Sequence, residues 1–327
     1  MRRREFITLL GAGTAAWPVV GRAQKAFNRP IIGVLSPTSS AAATRNIDAL
    51  RRGLRDLGYS DRRDITLELR FADGAIERLG ELAAELVALK PTIILAGSPA
   101  AALAVRAVAS HIPIVMNSAS DPVALGLANS MSRPGTNVTG IWWGDETLVG
   151  KRLQLLKEVV PGAMRVGFMS HPDDPTSAAE VKQVPIVSSA LGLTLHVLDV
   201  RGPADFDAAF ATAARENLQG LYVNSSPLFV SYRTELAALA VRAGLPTIYS
   251  FREFAAVGGL MSYGASLSDI FRREAGFVDR ILRGDNPAEM PIERPIVFEL
   301  LINLATAKAL GLSIPPSLLA RADEVIE

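Results

Sequence analysis

Residues 31–37, Ile-Ile-Gly-Val-Leu-Ser-Pro, form an apolar run that ends in a polar turn. A short continuous apolar run of this kind predicts a strand buried on both faces, as in a parallel sheet. Residues 41–57 follow with apolar side chains at helical spacing, and Gly58 is placed to end that helix. This stretch predicts the first strand and helix of an α/β fold.

The strand–helix alternation continues along the chain. Strand patterns occur at residues 65–70, 92–96 and 113–116, and helical patterns occur at residues 76–89 and about 99–109. Strands separated by helices of this length predict βαβ units and a parallel sheet.

The same pattern begins again at residues 165–170, Arg-Val-Gly-Phe-Met-Ser. The offsets are 134 between Gly33 and Gly167, 128 between Pro99 and Pro227, and 133 between Pro113 and Pro246. These nearly constant offsets predict two similar lobes. The alternative is the strand-then-turn repetition that any α/β chain shows.

The first 23 residues have the order of a secretory signal peptide. Basic residues 2–4 precede an apolar run over residues 7–20, and residues 21–23 end in Ala23. Residues 3–7, Arg-Arg-Glu-Phe-Ile, are similar to the twin-arginine motif. The apolar run is shorter than the about 20 residues that span a bilayer. We therefore expect export to the periplasm, cleavage near Ala23 and a mature protein without a membrane span.

Composition excludes several classes of protein. Of the 327 residues, 49% are hydrophobic and 20% are charged, so the chain can build a core. The net charge is only +1, so we expect no nucleic-acid partner. Cysteine is absent, and His111, His171 and His196 lack metal-ligand spacing, so no metal and no cofactor are predicted.

Small polar residues follow most of the predicted strands. Doubly wound sheets bind ligands beyond the carboxyl ends of their strands, where helix N-termini suit an anion. The candidates are Ser36, Ser98 with Pro99, Ser118, Ser170, and Asn224 with Ser225. The alternative role for any one of them is to cap the following helix.

Two further stretches carry a family resemblance. Residues 121–123, Asp-Pro-Val, precede residues 134–140, Pro-Gly-Thr-Asn-Val-Thr-Gly, and residues 258–264 read Gly-Gly-Leu-Met-Ser-Tyr-Gly. The latter precede Ile-Leu-Arg-Gly at 281–284 and Pro287. Over residues 29–327 the chain resembles the ABC-transporter substrate-binding proteins that include tryptophan/tyrosine-type transport components.

The resemblance implies a type I periplasmic binding fold, in which two doubly wound parallel-sheet α/β lobes are joined by three crossover strands. It places lobe 1 at residues 29–141 plus 260–291 and lobe 2 at residues 142–259 plus 292–327. The crossovers are expected near residues 140–144, 258–260 and 291–295, with a helix at about 267–283 returned to lobe 1. Residues 298–307 suggest a helix on lobe 2.

The resemblance also implies a protein that binds a small solute and is not an enzyme, so no catalytic residues are predicted. Trp143, Phe251 and Tyr263 are expected near the cleft, where they could sandwich a planar or apolar ligand. Asp121, at the start of the family motif, completes the predicted ligand-binding set.

The predicted function is a monomeric receptor that delivers a solute to an ABC permease of the inner membrane. An amino acid, an aromatic acid or another carboxylate fits the predicted cleft. An exported α/β enzyme such as a hydrolase using the same cleft, and a periplasmic ligand sensor, are the alternatives.

Overall fold

The computed structural model describes residues 29–144 and 146–327, so the predicted signal peptide lies outside the described residues. The first half of the chain forms a parallel sheet with the strand order β2-β1-β3-β4-β5. Its strands are β1 (Ile31–Ser36), β2 (Thr66–Phe71), β3 (Ile93–Ala96), β4 (Ile114–Ser118) and β5 (Val138–Trp142). Helices α1 (Ser40–Asp56), α2 (Leu79–Ala88) and α3 (Pro99–Val108) connect the first four strands.

The second sheet repeats the first and extends it. It contains β6 (Arg165–Ser170), β7 (Thr194–Asp199), β8 (Gly220–Val223), β9 (Thr247–Tyr249), β10 (Met261–Ala265), β11 (Phe298–Asn303) and β12 (Glu324–Ile326). The strand order is β12-β11-β10-β9-β8-β6-β7. Strands β6 to β10 therefore follow the same parallel order as β1 to β5, which is the two-lobe repetition that the offsets predicted.

The remaining helices lie between and after these strands. They are α4 (Glu146–Val159), α5 (Pro175–Val181), α6 (Val184–Leu191), α7 (Phe206–Arg215), α8 (Pro227–Ser231), α9 (Arg233–Arg242), α10 (Arg252–Ala255), α11 (Leu267–Leu282), α12 (Leu304–Ala309) and α13 (Pro316–Leu319). Short 3-10 helices occupy Ile76–Arg78, Pro203–Asp205 and Pro287–Glu289. Within the described ranges, no helix combines the length and the apolar character needed to cross a bilayer.

The first strand is buried on both faces, as its sequence predicts. Val34 packs in a cluster with the α1 residue Leu50, whereas Leu35 packs in a second cluster with Leu86 of α2. Complete burial of an aliphatic side chain contributes about 1.5–3 kcal/mol. The apolar run of β1 therefore fixes it at the centre of a layer that helices cover on both sides.

The residues at which the chain passes from one lobe to the other differ from the predicted lobe boundaries. Strand β10 was expected in lobe 1, but it pairs with β9 and β11 in the second sheet. Residues 292–294 were expected in lobe 2, yet the Glu293 backbone bonds to Gly140 and Trp142 at the edge of the first sheet. Glycines and prolines mark turns, whereas hydrogen-bonded pairing decides which sheet takes the chain.

The predicted helix at residues 298–307 is wrong over its first half. Phe298–Asn303 forms β11, antiparallel to β10, and α12 begins only at Leu304, where Asn303 accepts a capping hydrogen bond from the Thr306 N–H. Apolar residues in such a short segment fit both a helical and a strand period, and the neighbouring strand edge decides between them.

Candidate functional site

A cavity lies between the two lobes, at the carboxyl ends of both sheets. The first lobe contributes Ser36, Pro37, Thr38, Ala43, Asn46, Gly97, Ser98, Pro99, Asn117, Leu267 and Phe271, and the second contributes Thr176, Ser225, Pro227, Val230 and Phe251. Trp143, from the first connection between the lobes, completes the wall. The cavity has a volume of about 50 Å³, compared with the ~10–15 Å³ that one water needs.

The topology explains why the site forms here. In each sheet the strand order reverses direction beside the first strand, and the loops on either side of that point open a crevice. Ser36 ends β1, Ser98 follows β3 and Ser225 follows β8, so parallel strands deliver all three to the same cavity.

Ser98 shows how local structure positions a cavity residue. Its backbone is extended, and its Oγ accepts a hydrogen bond of 3.1 Å from the Ala101 N–H as the N-cap of α3. Pro99 fills the first helical position, where no N–H is needed. The Ser98 hydroxyl hydrogen is not used by this cap, so it can be donated to a ligand beside the positive end of the helix dipole.

Aromatic rings form the apolar part of the wall. Trp143 and Phe251 meet edge to face, with ring centroids 5.2 Å apart and an angle of 72° between the planes. Both are almost fully buried, and Phe271 of α11 adds a third ring from the other lobe. Aromatic faces of this kind pack against a planar or apolar ligand body.

The polar part of the wall is neutral. Among the described residues that line the cavity, the polar side chains are hydroxyls, amides and an indole N–H, and none is ionisable. The Oγ of Ser36 lies 3.1 Å from the Thr38 Oγ1 within the loop that follows β1. Such groups recognise a ligand by hydrogen-bond direction and shape.

Two carboxyl groups lie directly behind this neutral wall, the partly buried Glu180 and the fully buried Glu274. On the second lobe, Ser225 donates to Glu180 Oε1 at 2.6 Å, and the Tyr222 hydroxyl donates to Glu180 Oε2 at 2.5 Å. Arg152 lies 3.8 Å from the same carboxylate and donates to the Tyr222 hydroxyl at 2.7 Å. Burial raises the pKa of Tyr222 well above its usual value, so its hydroxyl keeps its hydrogen.

The carboxyl group behind the first-lobe wall is that of Glu274. Asn117 donates from Nδ2 to Glu274 Oε1 at 2.9 Å, and Glu274 is completely buried on α11. Burial raises the pKa of Glu274 to about 8 because water is excluded from its charged form, while the Asn117 hydrogen bond opposes the rise. Glu274 is therefore mostly neutral at pH 7.

Six of the predicted site residues line the cavity: Ser36, Ser98, Pro99, Trp143, Ser225 and Phe251. They come from both lobes and from the connection between them. The sequence position of each, at a strand end or beside a crossover, is the signal that selected it.

The other five predicted residues do not line this cavity. Ser118 donates to the Ser120 carbonyl, and Asp121 accepts the N–H groups of its own turn. Ser170 is buried at the end of β6, and Asn224 bonds to Ser177 and to the Ser226 N–H. Tyr263 stacks on Phe298 within the second sheet, with ring centroids 6.3 Å apart.

Ser118, Ser170 and Asn224 share one physical reason, whereas Asp121 lies in the loop after β4 and Tyr263 lies in the middle of β10. A strand end presents successive side chains to opposite faces, so only some of its polar residues face the cleft. The others satisfy backbone and side-chain groups beneath it, a role that polar residues at a strand end fill equally well.

The cavity also contains residues that were not predicted. Asn46 is a polar residue on the buried face of α1, Thr176 follows Asp174 and Pro175 at the start of α5, and Phe271 lies in the second turn of α11. A buried asparagine within the apolar stripe Ile47, Leu50 and Leu54 is the one usable sequence signal. The face that α11 presents to the cleft follows only from the packing of α11 on α1.

The sequence profile of the ABC transporter substrate binding protein family matches residues 31–326. The chain belongs to this family. Its strand order and lobe arrangement are those of the type I periplasmic binding fold, as the sequence resemblance implied.

One relative is named for tyrosine binding, and one similar structure was solved with L-Trp. The chain is 24% identical over 271 residues to a tyrosine-binding protein of Clostridioides difficile, covering 82% of this chain and 78% of the relative. A Streptococcus pneumoniae domain solved in complex with L-Trp superposes with a TM-score of 0.83 and 22% identity, covering 91% of this chain and 100% of that one. A ligand-free, open substrate-binding protein from Clostridium difficile gives a TM-score of 0.65 at 22% identity, with 91% and 99% coverage.

Proposed function

We propose that this protein is an exported solute receptor that encloses a small ligand between its two lobes and delivers it to an ABC permease. The observation that carries the proposal is the cavity itself, because each lobe supplies only part of its wall. A ligand held this way gains its full set of contacts only when the lobes close around it.

The proposed ligand has an apolar, preferably aromatic, body and a carboxylate. The rings of Trp143, Phe251 and Phe271 suit the body, and the Ser98 hydroxyl at the N-terminus of α3 suits the carboxylate. Relatives named for tyrosine and tryptophan binding support this class. Amino acids and aromatic acids both belong to it.

Binding without conversion is the first test. The full chain, purified from the periplasm, is incubated with L-tyrosine, L-phenylalanine or 3-phenylpropionate and examined by native mass spectrometry. We expect a one-to-one complex from which the ligand is released with its mass unchanged. A product of altered mass would contradict a receptor and favour the exported-enzyme alternative.

Export and delivery need separate tests. Replacing Arg3 and Arg4 by Lys should leave the precursor in the cytoplasm, and normal export of that variant would contradict a twin-arginine signal.

Deleting the chromosomal copy of the gene should lower uptake of the radiolabelled ligand. Unchanged uptake together with a lost transcriptional response would instead favour a ligand sensor.

A further inference from the structure

The hydroxyl of Ser225 has only one hydrogen, and the partly buried carboxylate of Glu180 accepts it. Ser225 lines the cavity just after β8, and its Oγ donates to Glu180 Oε1 at 2.6 Å. A serine hydroxyl has one donor hydrogen and two acceptor lone pairs, whereas a carboxylate only accepts. Toward the ligand, Ser225 therefore offers lone pairs and no hydrogen.

The Glu180 side chain is held so that this direction cannot easily reverse. Its second oxygen accepts from the Tyr222 hydroxyl, which in turn accepts from Arg152. Arg152 is anchored by a further 2.7 Å hydrogen bond to the Tyr263 carbonyl. Arg152 and Tyr222 are both fully buried, so the chain of hydrogen bonds has little freedom to rearrange.

The first lobe independently contributes an acceptor, the side-chain oxygen of Asn46. Asn46 is 7% exposed, and its Oδ1 has no hydrogen-bond partner among the described residues. A buried acceptor left without a donor costs about 1–3 kcal/mol, which a ligand donor would recover.

We propose that the cleft recognises a hydrogen-bond-donating group of its ligand through Ser225 Oγ and Asn46 Oδ1, with Glu180 as the positioning residue that makes Ser225 an acceptor. The donor group can be an ammonium or a hydroxyl carried by the aromatic body. This inference rests on the proposed function and narrows its ligand class to donor-bearing molecules.

Three probes with the same ring and carboxylate separate the possible donors. 3-Phenylpropionate has neither donor, L-phenylalanine adds an ammonium group, and L-tyrosine adds an ammonium and a phenol hydroxyl. Isothermal titration of the full chain should show at least about tenfold tighter binding when the recognised donor is present, because a site built around a hydrogen bond rejects a ligand that lacks it.

Ser225→Ala removes the acceptor and should reduce that preference to about twofold or less, while the affinity for 3-phenylpropionate stays within about twofold of wild type. The matched control is Ser226→Ala, because Ser226 is the next residue in the sequence, is buried and does not line the cavity. Its probe preference should equal that of wild type.

Glu180→Gln tests the positioning role by a change in specificity. A glutamine amide can donate to Ser225 Oγ, which frees the Ser225 hydrogen for the ligand. The preference for the donor-bearing probe should fall, and this ratio of affinities does not depend on the fraction of protein that is folded. An unchanged ratio would remove Glu180 from the recognition of the donor.

Two results overturn the inference and leave the receptor proposal standing. They are equal affinity of wild type for all three probes, and an unchanged preference in Ser225→Ala. Failure of wild type to bind any of the three probes would instead contradict the proposed ligand class, and this inference would fall with it.

Discussion

Ser98 combines two roles that a single serine hydroxyl can fill together. Its oxygen caps α3 by accepting from Ala101, and its hydrogen is left for the cavity. Ser39 fills only the first role, because it caps α1 by accepting from Ala42 and does not line the cavity. The two serines therefore allow capping to be separated from binding.

We expect Ser98→Ala to lower the free energy of unfolding by about 1 kcal/mol through the lost cap. It should also weaken binding of the preferred aromatic probe about tenfold through the lost donor. Ser39→Ala should show the loss of stability alone. Denaturant titration and isothermal titration of both variants check this, and equal affinities of the two variants would contradict a ligand contact at Ser98.

Glu274 is a buried carboxyl whose folded pKa is raised, so its effect on stability has the opposite sign to that of an ion-paired acid. Burial raises the pKa of this group from its ordinary value of 4.5 to about 8. Between pH 4.5 and pH 8, Glu274 is ionised in the unfolded state and protonated in the folded state, so unfolding releases a proton. The free energy of unfolding therefore falls as the pH rises through this range. The full cost, on the order of 5 kcal/mol, is reached only above the folded pKa.

Glu274→Gln should therefore gain stability relative to wild type, and the gain should grow between pH 5 and pH 8. Glutamine keeps an oxygen for the Asn117 amide and cannot ionise. The control is Glu81→Gln, since Glu81 is exposed on α2. Unfolding free energies that differ from wild type by a constant amount across this pH range would show that Glu274 is not the titrating group.

At the scale of elements, the packing of α1 against α11 joins distant parts of the chain. Arg272 of α11 pairs with Asp56 of α1 at 2.8 Å, and the Tyr59 hydroxyl donates to Asp279 at 2.9 Å. Gly53 permits the close approach, because a Cβ there would lie 2.5 Å from the Arg272 carbonyl oxygen. Helix α11 can therefore pack closely against α1 because Gly53 has no side chain.

Gly53→Ala should destabilise the protein by about 1–3 kcal/mol, since the backbone of α11 would have to move. Gly276→Ala is the matched control, because Gly276 lies within α11 and a Cβ there would meet nothing within 4 Å. That variant should gain up to about 1 kcal/mol from helix propensity. Denaturation midpoints of the two variants that shift in the same direction would contradict this packing.

At the scale of the whole molecule, hydrogen bonds outside the cavity also join the lobes. The Ser39 N–H donates to Ser231 Oγ at 3.2 Å, and Ser120 donates to the Pro175 carbonyl at 3.1 Å. If the lobes open and close as proposed, such bonds exist only in the closed state. They therefore contribute to the closed state, and through it to ligand affinity, without touching the ligand.

Ser231→Ala should lower the affinity for the preferred probe about fivefold, the effect of about 1 kcal/mol lost from the closed state. Small-angle scattering should show the radius of gyration falling on ligand addition in both proteins, with more ligand needed in the variant. Thr44→Ala is the control, because the Thr44 hydroxyl makes the same type of bond, to the carbonyl four residues earlier, within one lobe. Tight binding without any compaction would count against closure.

The sequence by itself determined the fold class, the two-lobe repetition and the strand-end serines that line the cavity. These features depend on local information, because a buried strand needs an apolar run and a parallel strand delivers the residue at its carboxyl end to the ligand side. Ser36, Ser98 and Ser225 were therefore predictable from their positions after β1, β3 and β8.

Only the tertiary structure decided which polar side chains meet in the cavity and which way their hydrogen bonds run. The contacts Asn117–Glu274 and Ser225–Glu180 join residues 157 and 45 positions apart, and no local spacing encodes them. The same is true of β10, whose place in the second sheet depends on the edges of β9 and β11. Hydrogen-bond direction and strand partnership are properties of long-range packing, so they appear only when the lobes are assembled.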